Sequence, residues 1–74
     1  MVRIFRVTVD FEAPELRTDP TRIEIFHPGD LLIVINSDGS YTTFCRHDEA
    51  VDLLTCAQYL ITDAEFEIST EIAK

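Results

Sequence analysis

The residue types best suited to chemistry lie in one stretch of the second half of the chain. Cys45 and His47 are two positions apart, and Cys56 follows further along. Thiolate sulfur and imidazole nitrogen are preferred zinc ligands, but structural zinc sites have four ligands, commonly in closely spaced pairs. A fourth ligand here would have to be Asp48 or the distant His27. We therefore expect no metal site.

The same stretch could also provide a thiol nucleophile with a histidine base. Side chains two positions apart on an extended strand share one face, which would place Cys45 beside His47. No third group that would orient the base, and no oxyanion donor, can be identified in the sequence. A metal- or thiol-dependent enzyme using Cys45, His47 and Cys56 is thus an alternative hypothesis only. We expect a protein without catalysis and without a cofactor.

Three carboxylates follow this stretch, at Asp48, Glu49 and Asp52. They could hold a cation or perform acid-base work. A simpler account is that they begin a helix, whose dipole favours negative charge in its first turn. The two glycines of the chain, Gly29 and Gly39, are too few for a phosphate-binding loop.

The composition indicates a small globular protein with an acidic surface. A length of 74 residues predicts one domain, 1–74, in which we expect residues 69–74 to be a frayed tail. A hydrophobic content of 46% is too high for a disordered chain. The net charge of −8 opposes binding to nucleic-acid phosphates and to anionic membranes. It favours encounter with another protein that has a basic surface.

The sequence indicates a reducing compartment. Two cysteines are too few for a disulfide framework. The longest apolar run, Leu31–Ile35, is too short to span a bilayer. The Val2–Val9 segment is interrupted by arginines and lacks the pattern of a secretory signal. We therefore expect a cytoplasmic protein with both thiols reduced.

Period-two alternation of apolar and polar residues predicts five strands. Turn residues at His27–Asp30 and Asn36–Ser40 join the second, third and fourth of them, which predicts an antiparallel meander. Glu12–Thr21, with two prolines, is expected to be a loop. The predicted strands are Val2–Phe11, Arg22–Phe26, Leu31–Ile35, Tyr41–Arg46 and Ala64–Ile68.

The spacing changes to helical after the fourth strand. Apolar residues recur every three or four positions from Ala50 to Leu60, which predicts one helix over Asp48–Tyr59, between strands four and five. The fold class is therefore mainly β: a partly open five-stranded antiparallel barrel with one inserted helix. An α+β arrangement, with the helix packed on an antiparallel sheet, is the alternative.

The alternation also predicts which side chains share the core. In the second strand Ile23 and Ile25 are expected to point inward, which leaves Phe26 outside. Phe26 and Tyr41 are therefore our predicted exposed aromatic anchors for a partner. The predicted core comprises Phe5, Val7, Val9, Ile23, Ile25, Leu32, Val34, Phe44, Leu54, Phe66 and Ile68.

Two segments resemble a known family. Val9-Asp10-Phe11-Glu12-Ala13 resembles the segment that begins Src-homology-3 domains, and residues 23–34 resemble the family's next strand, its Gly-Asp turn and the strand after it. The resemblance covers residues 7–45 and implies a Src-homology-3-like small barrel. That family binds proline-rich peptides in aromatic grooves, which would implicate Phe11, Tyr41 and the acidic loop residues Glu12, Glu15 and Asp19. The chain departs from the family in having no tryptophan.

Two functions compatible with this architecture are predicted. The first is a small protein-interaction module or accessory protein, which includes self-association as a homodimer, since sheet edges are templates for pairing. The second is an acidic mimic that occupies the basic groove of a nucleic-acid-binding protein. The mimic would display carboxylates on the outer faces of neighbouring strands, from Glu12, Glu15, Asp19, Glu24, Glu65 and Glu67.

Overall fold

A computed structural model of the chain describes residues 3–18, 20–50 and 56–73. The elements of these residues are strands β1 (Ile4–Val7), β2 (Phe11–Pro14), β3 (Ile23–Phe26), β4 (Leu31–Ser37) and β5 (Tyr41–Arg46), a 3-10 turn (His47–Glu49), strand β6 (Tyr59–Thr62), helix α1 (Asp63–Ser69) and strand β7 (Thr70–Ile72).

The strands form a five-stranded antiparallel sheet and a two-stranded ribbon. The order in the sheet is β6-β5-β4-β1-β7, and β2 pairs with β3 in the ribbon. An isolated bridge between Glu15 and Tyr59 joins the end of β2 to β6, and the Leu16 N–H donates to the Gln58 carbonyl at 2.7 Å. The predicted mainly β class, with five antiparallel strands and one helix, is confirmed. The described strands of the five-stranded sheet do not close into a barrel, because β6 and β7 are its two edges.

The predicted first strand, Val2–Phe11, is instead divided between the sheet and the ribbon. β1 ends at Val7, whose N–H donates to the Asp30 carbonyl and whose carbonyl accepts from the Gly29 N–H, both at 2.9 Å. The chain then leaves the sheet, and Val9 is 57% exposed. β2 begins at Phe11, the last residue of the predicted strand, and continues to Pro14, inside the Glu12–Thr21 segment that we expected to be a loop.

The second and third predicted strands do not form a hairpin ladder, so the predicted meander is wrong. β3 pairs with β2, whereas β4 pairs with β1 and β5. The turn between β3 and β4 is nevertheless formed, with Gly29 at a φ of 99° and the His27 N–H donating to Asp30 Oδ2 at 2.9 Å. Gly29 and Asp30 of this turn form backbone hydrogen bonds with Val7, the last residue of β1. The turn therefore lies where the chain passes from the ribbon to the sheet.

The hairpin between β4 and β5 is confirmed. Gly39 has a φ of 92°, a left-handed conformation that glycine adopts without strain. The Asp38 carboxylate accepts hydrogen bonds from the N–H groups of Ser40 and Tyr41 at 2.9 and 2.8 Å. These bonds hold the pKa of Asp38 below its usual range, because they stabilise the ionised form.

The helix lies at a different place from the predicted one. The segment Ala64–Ile68, predicted as the last strand, belongs to α1, while Tyr59, predicted as the end of the helix, lies in β6. Residues 51–55 of the predicted helix lie outside the described residues. The expected frayed tail contains β7, which pairs with β1.

The core is an aromatic cluster between the sheet, the ribbon and α1. Phe26 lies at its centre, with ring centroids 5.1 Å from Phe11, 5.2 Å from Phe44 and 5.0 Å from Tyr59. Six residues of the predicted core are buried or pack against the buried cluster: Val7, Leu32, Phe44, Phe66, Phe5 and Val34. Four others are exposed: Val9, Ile23, Ile25 and Ile68. Leu54 lies outside the described residues.

Candidate functional site

The predicted aromatic anchors have opposite outcomes. Phe26 is fully buried, so the prediction that it is exposed is wrong, and Phe11 is only 5% exposed. Neither ring is available to a partner. Tyr41 is 50% exposed at the start of β5, as predicted. It stands five residues before Arg46, or roughly 16 Å along the strand from the point where Arg46 contacts the ribbon.

The carboxylates expected in the acidic loop are not arranged as one array. Glu12 is exposed, whereas the Glu15 side chain is largely covered and lies 3.7 Å from Arg22. Asp19 lies outside the described residues. Glu65 and Glu67, expected on the outer face of a strand, belong to α1. The row of carboxylates on neighbouring strands that the mimic hypothesis requires is therefore interrupted.

The ribbon instead presents an apolar surface, which we call the isoleucine face. It consists of two cross-strand pairs on the side away from the core, Glu12 with Ile25 and Pro14 with Ile23. Ile23 is 56% exposed and Ile25 is 47% exposed. Side chains alternate along a strand, so burial of Phe26 requires both isoleucines to point outward.

Arg46 and Tyr59 fix the ribbon against the sheet. The Arg46 guanidinium lies 4.5 Å from the centre of the Phe26 ring and 3.2 Å from Asp30 Oδ2, and it donates to the Ile25 carbonyl at 3.5 Å. The Tyr59 hydroxyl donates to Glu24 at 3.5 Å. Burial, with the negative charge of Glu24, raises the pKa of Tyr59, so the phenol stays protonated as a donor.

A second surface feature lies on the sheet beside α1, and we call it the Asp63 cleft. It comprises two cavities of about 490 and 450 Å³ that share four lining residues. Its apolar lining comes from β1, β4, α1 and β7, and its polar lining comes from side chains of β4, β5, α1 and β7 and from Arg3. The residues that define it are Phe5, Val34, Ser37, Thr42, Asp63 and Phe66.

Hydroxyl groups hold the Asp63 carboxylate in the cleft. The Thr42 hydroxyl donates to Asp63 Oδ1 at 2.5 Å, and the Ser37 hydroxyl donates to the same oxygen at 3.2 Å. Thr42 is 3% exposed, so this arrangement is anchored in the protein interior. The sequence offered no signal for it, because the three residues come from separate segments with no characteristic spacing.

The cysteine and histidine residues do not form a catalytic arrangement in the described part of the chain. Cys45 is fully buried at the end of β5, whereas His47 is exposed in the 3-10 turn. Burial first, and then the neighbouring Cys56 thiol and the Glu49 carboxylate, raise the pKa of Cys45 to about 11. Among the described residues, no group of three potential ligands could hold a metal ion; Asp52 lies outside them.

Comparisons with known proteins add no further information. No protein-family model, curated protein or solved structure matches the chain. Within residues 3–18, 20–50 and 56–73, no helix has the length and apolar character needed to cross a membrane. The isoleucine face and the Asp63 cleft are therefore interpreted from their own geometry.

Proposed function

We propose that this protein is a non-catalytic interaction module that binds a partner protein through the isoleucine face. The observation that carries the proposal is the exposure of Ile23 and Ile25, two positions apart on one strand. Both are about half exposed, while Phe26 behind them is fully buried. Covering such a half-exposed isoleucine would contribute roughly 1 kcal/mol to binding.

The charge around the isoleucine face supports a basic partner. Glu12 is exposed and lies directly across from Ile25. The whole chain carries a net charge of −8. Complementary charge raises association rates and selects among partners more than it adds affinity, so the apolar contact provides the binding energy.

Self-association through the same face is the second candidate. It is favoured because a two-fold symmetric dimer would bury the apolar residues of the isoleucine face against the same residues of a second chain. It is opposed by electrostatic repulsion between two chains of net charge −8, which weakens as salt is added. A partner of opposite charge meets no such repulsion, and we therefore place it first. The Src-homology-3-like relationship stays a prediction.

The test uses an isoleucine double variant with a matched control. Ile23→Thr with Ile25→Thr keeps β-branched residues in the strand and removes apolar surface from the face. Val9→Thr likewise replaces a β-branched apolar residue by threonine, at a similarly exposed position outside the ribbon. We expect the wild type and Val9→Thr to retain a partner from extracts of the native host and the double variant to lose it. Equal retention by all three proteins would contradict the proposal.

Sedimentation velocity separates the two candidates. If the face binds a different protein, the purified wild type sediments as a monomer at low and at moderate salt. If it binds a copy of itself, the wild type forms a dimer that strengthens with salt, and the double variant remains monomeric.

A further inference from the structure

We propose that the Asp63 cleft, together with the free edge of β7, binds an extended segment of a partner protein that presents an arginine or lysine side chain beside an apolar one. This is a second binding site, on different elements from the isoleucine face, and it does not depend on the function proposed for that face. Four features of the described residues lead to this occupant.

The first feature is space with an apolar lining. Each of the two cavities lies within the range of about 300–1,000 Å³ that is typical of ligand sites. Phe5 and Phe66 line both cavities, and their rings meet edge to face with centroids 5.2 Å apart. Such a lining accepts aliphatic side chains and the hydrocarbon stem of arginine or lysine.

The second feature is the sign of the charge. Asp63, Glu67 and Glu71 all line the cavity that adjoins β7. Arg6 neutralises Glu71 with a contact of 3.2 Å, while Arg3 lines only the other cavity. The cavity beside β7 is therefore negative, and a cation also interacts favourably with the faces of aromatic rings.

The third feature is that the Asp63 carboxylate is already oriented. Both hydroxyl hydrogen bonds, from Thr42 and Ser37, go to Oδ1. No hydrogen bond from the described residues to Oδ2 is seen. A guanidinium or ammonium group can therefore pair with this carboxylate. Because the Asp63 side chain is already held in place, binding costs it little conformational entropy.

The fourth feature is the backbone of β7, which pairs with β1 alone among the described strands. The Thr8 N–H donates to the Ser69 carbonyl, and the Ala73 N–H donates to the Ile4 carbonyl, both at 2.8 Å. Antiparallel hydrogen bonding alternates along a strand, so the N–H and carbonyl of Ile72 point away from β1. An added strand would use these groups for affinity and the cleft for side-chain selectivity.

The test is a titration of the isotope-labelled full chain with two synthetic peptides, followed by amide chemical shifts. The first peptide is acetyl-Ser-Leu-Ser-Arg-Ser-Leu-Ser-amide, in which leucine, arginine and leucine share one face of an extended chain. The second has glutamine in place of arginine. We expect saturable shifts at residues 70–72 and at Ser37 and Thr42, with about tenfold tighter binding of the arginine peptide.

Two variants assign the effect to the carboxylate. Asp63→Asn keeps an oxygen that accepts from Thr42 and Ser37 but removes the charge, and it should lower the affinity for the arginine peptide to that of the glutamine peptide. Glu12→Gln, the same chemical change on the isoleucine face, should leave both affinities unchanged. The comparison of the two peptides on the wild type holds even if Asp63→Asn fails to fold.

The proposal is overturned if neither peptide gives saturable shifts at β7, or if the two peptides bind the wild type equally well. It is also overturned if the shifts concentrate on the isoleucine face. In that last case the function proposed for the isoleucine face would gain support, so failure of the two proposals can be distinguished.

Discussion

Phe26 illustrates how one side chain decides the exposure of its neighbours. The alternation of Ile23, Glu24, Ile25 and Phe26 fits two opposite orientations of the strand, and local pattern does not choose between them. The orientation with Phe26 inside buries a large aromatic ring against Phe11, Phe44 and Tyr59. Aromatic pairs contribute about 0.5–1.5 kcal/mol beyond their buried area, which favours this orientation over one with two isoleucines inside.

The first prediction follows from this position. Phe26→Ala should lower the free energy of unfolding by about 3–5 kcal/mol, because it removes a fully buried ring and leaves a cavity. Ile25→Ala, on the opposite face, should cost less than about 1 kcal/mol. Urea unfolding followed by circular dichroism measures both. Similar losses for the two variants would show that the ribbon face is wrongly assigned.

The second prediction concerns pH and Cys45. Its pKa in the folded protein is about 11, above the ordinary value of 9.0, so the unfolded chain releases this proton first. The wild type should therefore lose stability, on the order of 1–2 kcal/mol, as pH rises from about 9 to 11. Cys45→Ala lacks this loss, so the wild type's stability relative to the variant should decline over that range. The pKa of Tyr59 is also raised, but its effect on the pH dependence of stability is the same in both proteins and cancels in the comparison.

Urea unfolding under reducing conditions at each pH measures this difference. A difference in stability between the wild type and Cys45→Ala that stays constant from about pH 8 to 11 would contradict the prediction.

At the scale of elements, the sequence predicts a feature well where a single local interaction determines it. The Asp38-Gly39 turn is one such feature, because a carboxylate and a glycine satisfy its geometry locally. The division of the first strand could not be predicted in this way. Val7 and Val9 are chemically equivalent, and β1 ends where Val7 meets the distant Gly29–Asp30 turn. The Asp63 cleft could not be predicted at all, because its defining residues come together only when β1, β4, β5 and α1 pack.

The position of α1 was missed although the sequence carries a signal for it. Thr62-Asp63-Ala64-Glu65 has the pattern of a capping box, and the Thr62 hydroxyl accepts from the Glu65 N–H at 3.3 Å. The alternation of Ala64, Phe66 and Ile68 with glutamates is equally compatible with a strand. The cap distinguishes the two, because it satisfies an N–H that is unpaired only at a helix start.

The third prediction tests this cap. Thr62→Ala should reduce the free energy of unfolding by about 1 kcal/mol, because the first turn of α1 loses its hydrogen-bond acceptor. Thr62→Ser retains the hydroxyl and should lose much less. Urea unfolding compares the two variants. Equal losses would mean that the methyl group of Thr62, rather than its hydroxyl, stabilises the junction.

The whole molecule combines a small core with a large imbalance of charge. Its 74 residues include 14 acidic and 6 basic side chains, so the carboxylates outnumber the basic groups by eight. A chain of this length buries only about 60% of the surface it exposes when unfolded, and its stability is correspondingly small. Repulsion among unpaired carboxylates should therefore be a measurable fraction of that stability.

The fourth prediction is that salt stabilises the protein. Raising the ionic strength from about 0.01 M to about 0.15 M shortens the Debye length from about 30 to about 8 Å and screens the repulsion. The attractive ion pairs, such as Arg6 with Glu71, are few, so the net effect is a higher free energy of unfolding.

Glu12→Gln with Glu67→Gln removes two exposed carboxylates and should raise stability at low salt, with a smaller response to added salt. Urea unfolding measures the free energy of unfolding of the wild type and of the double variant at each of the two ionic strengths. A wild type whose stability falls with salt would show instead that its few ion pairs outweigh the repulsion of its carboxylates.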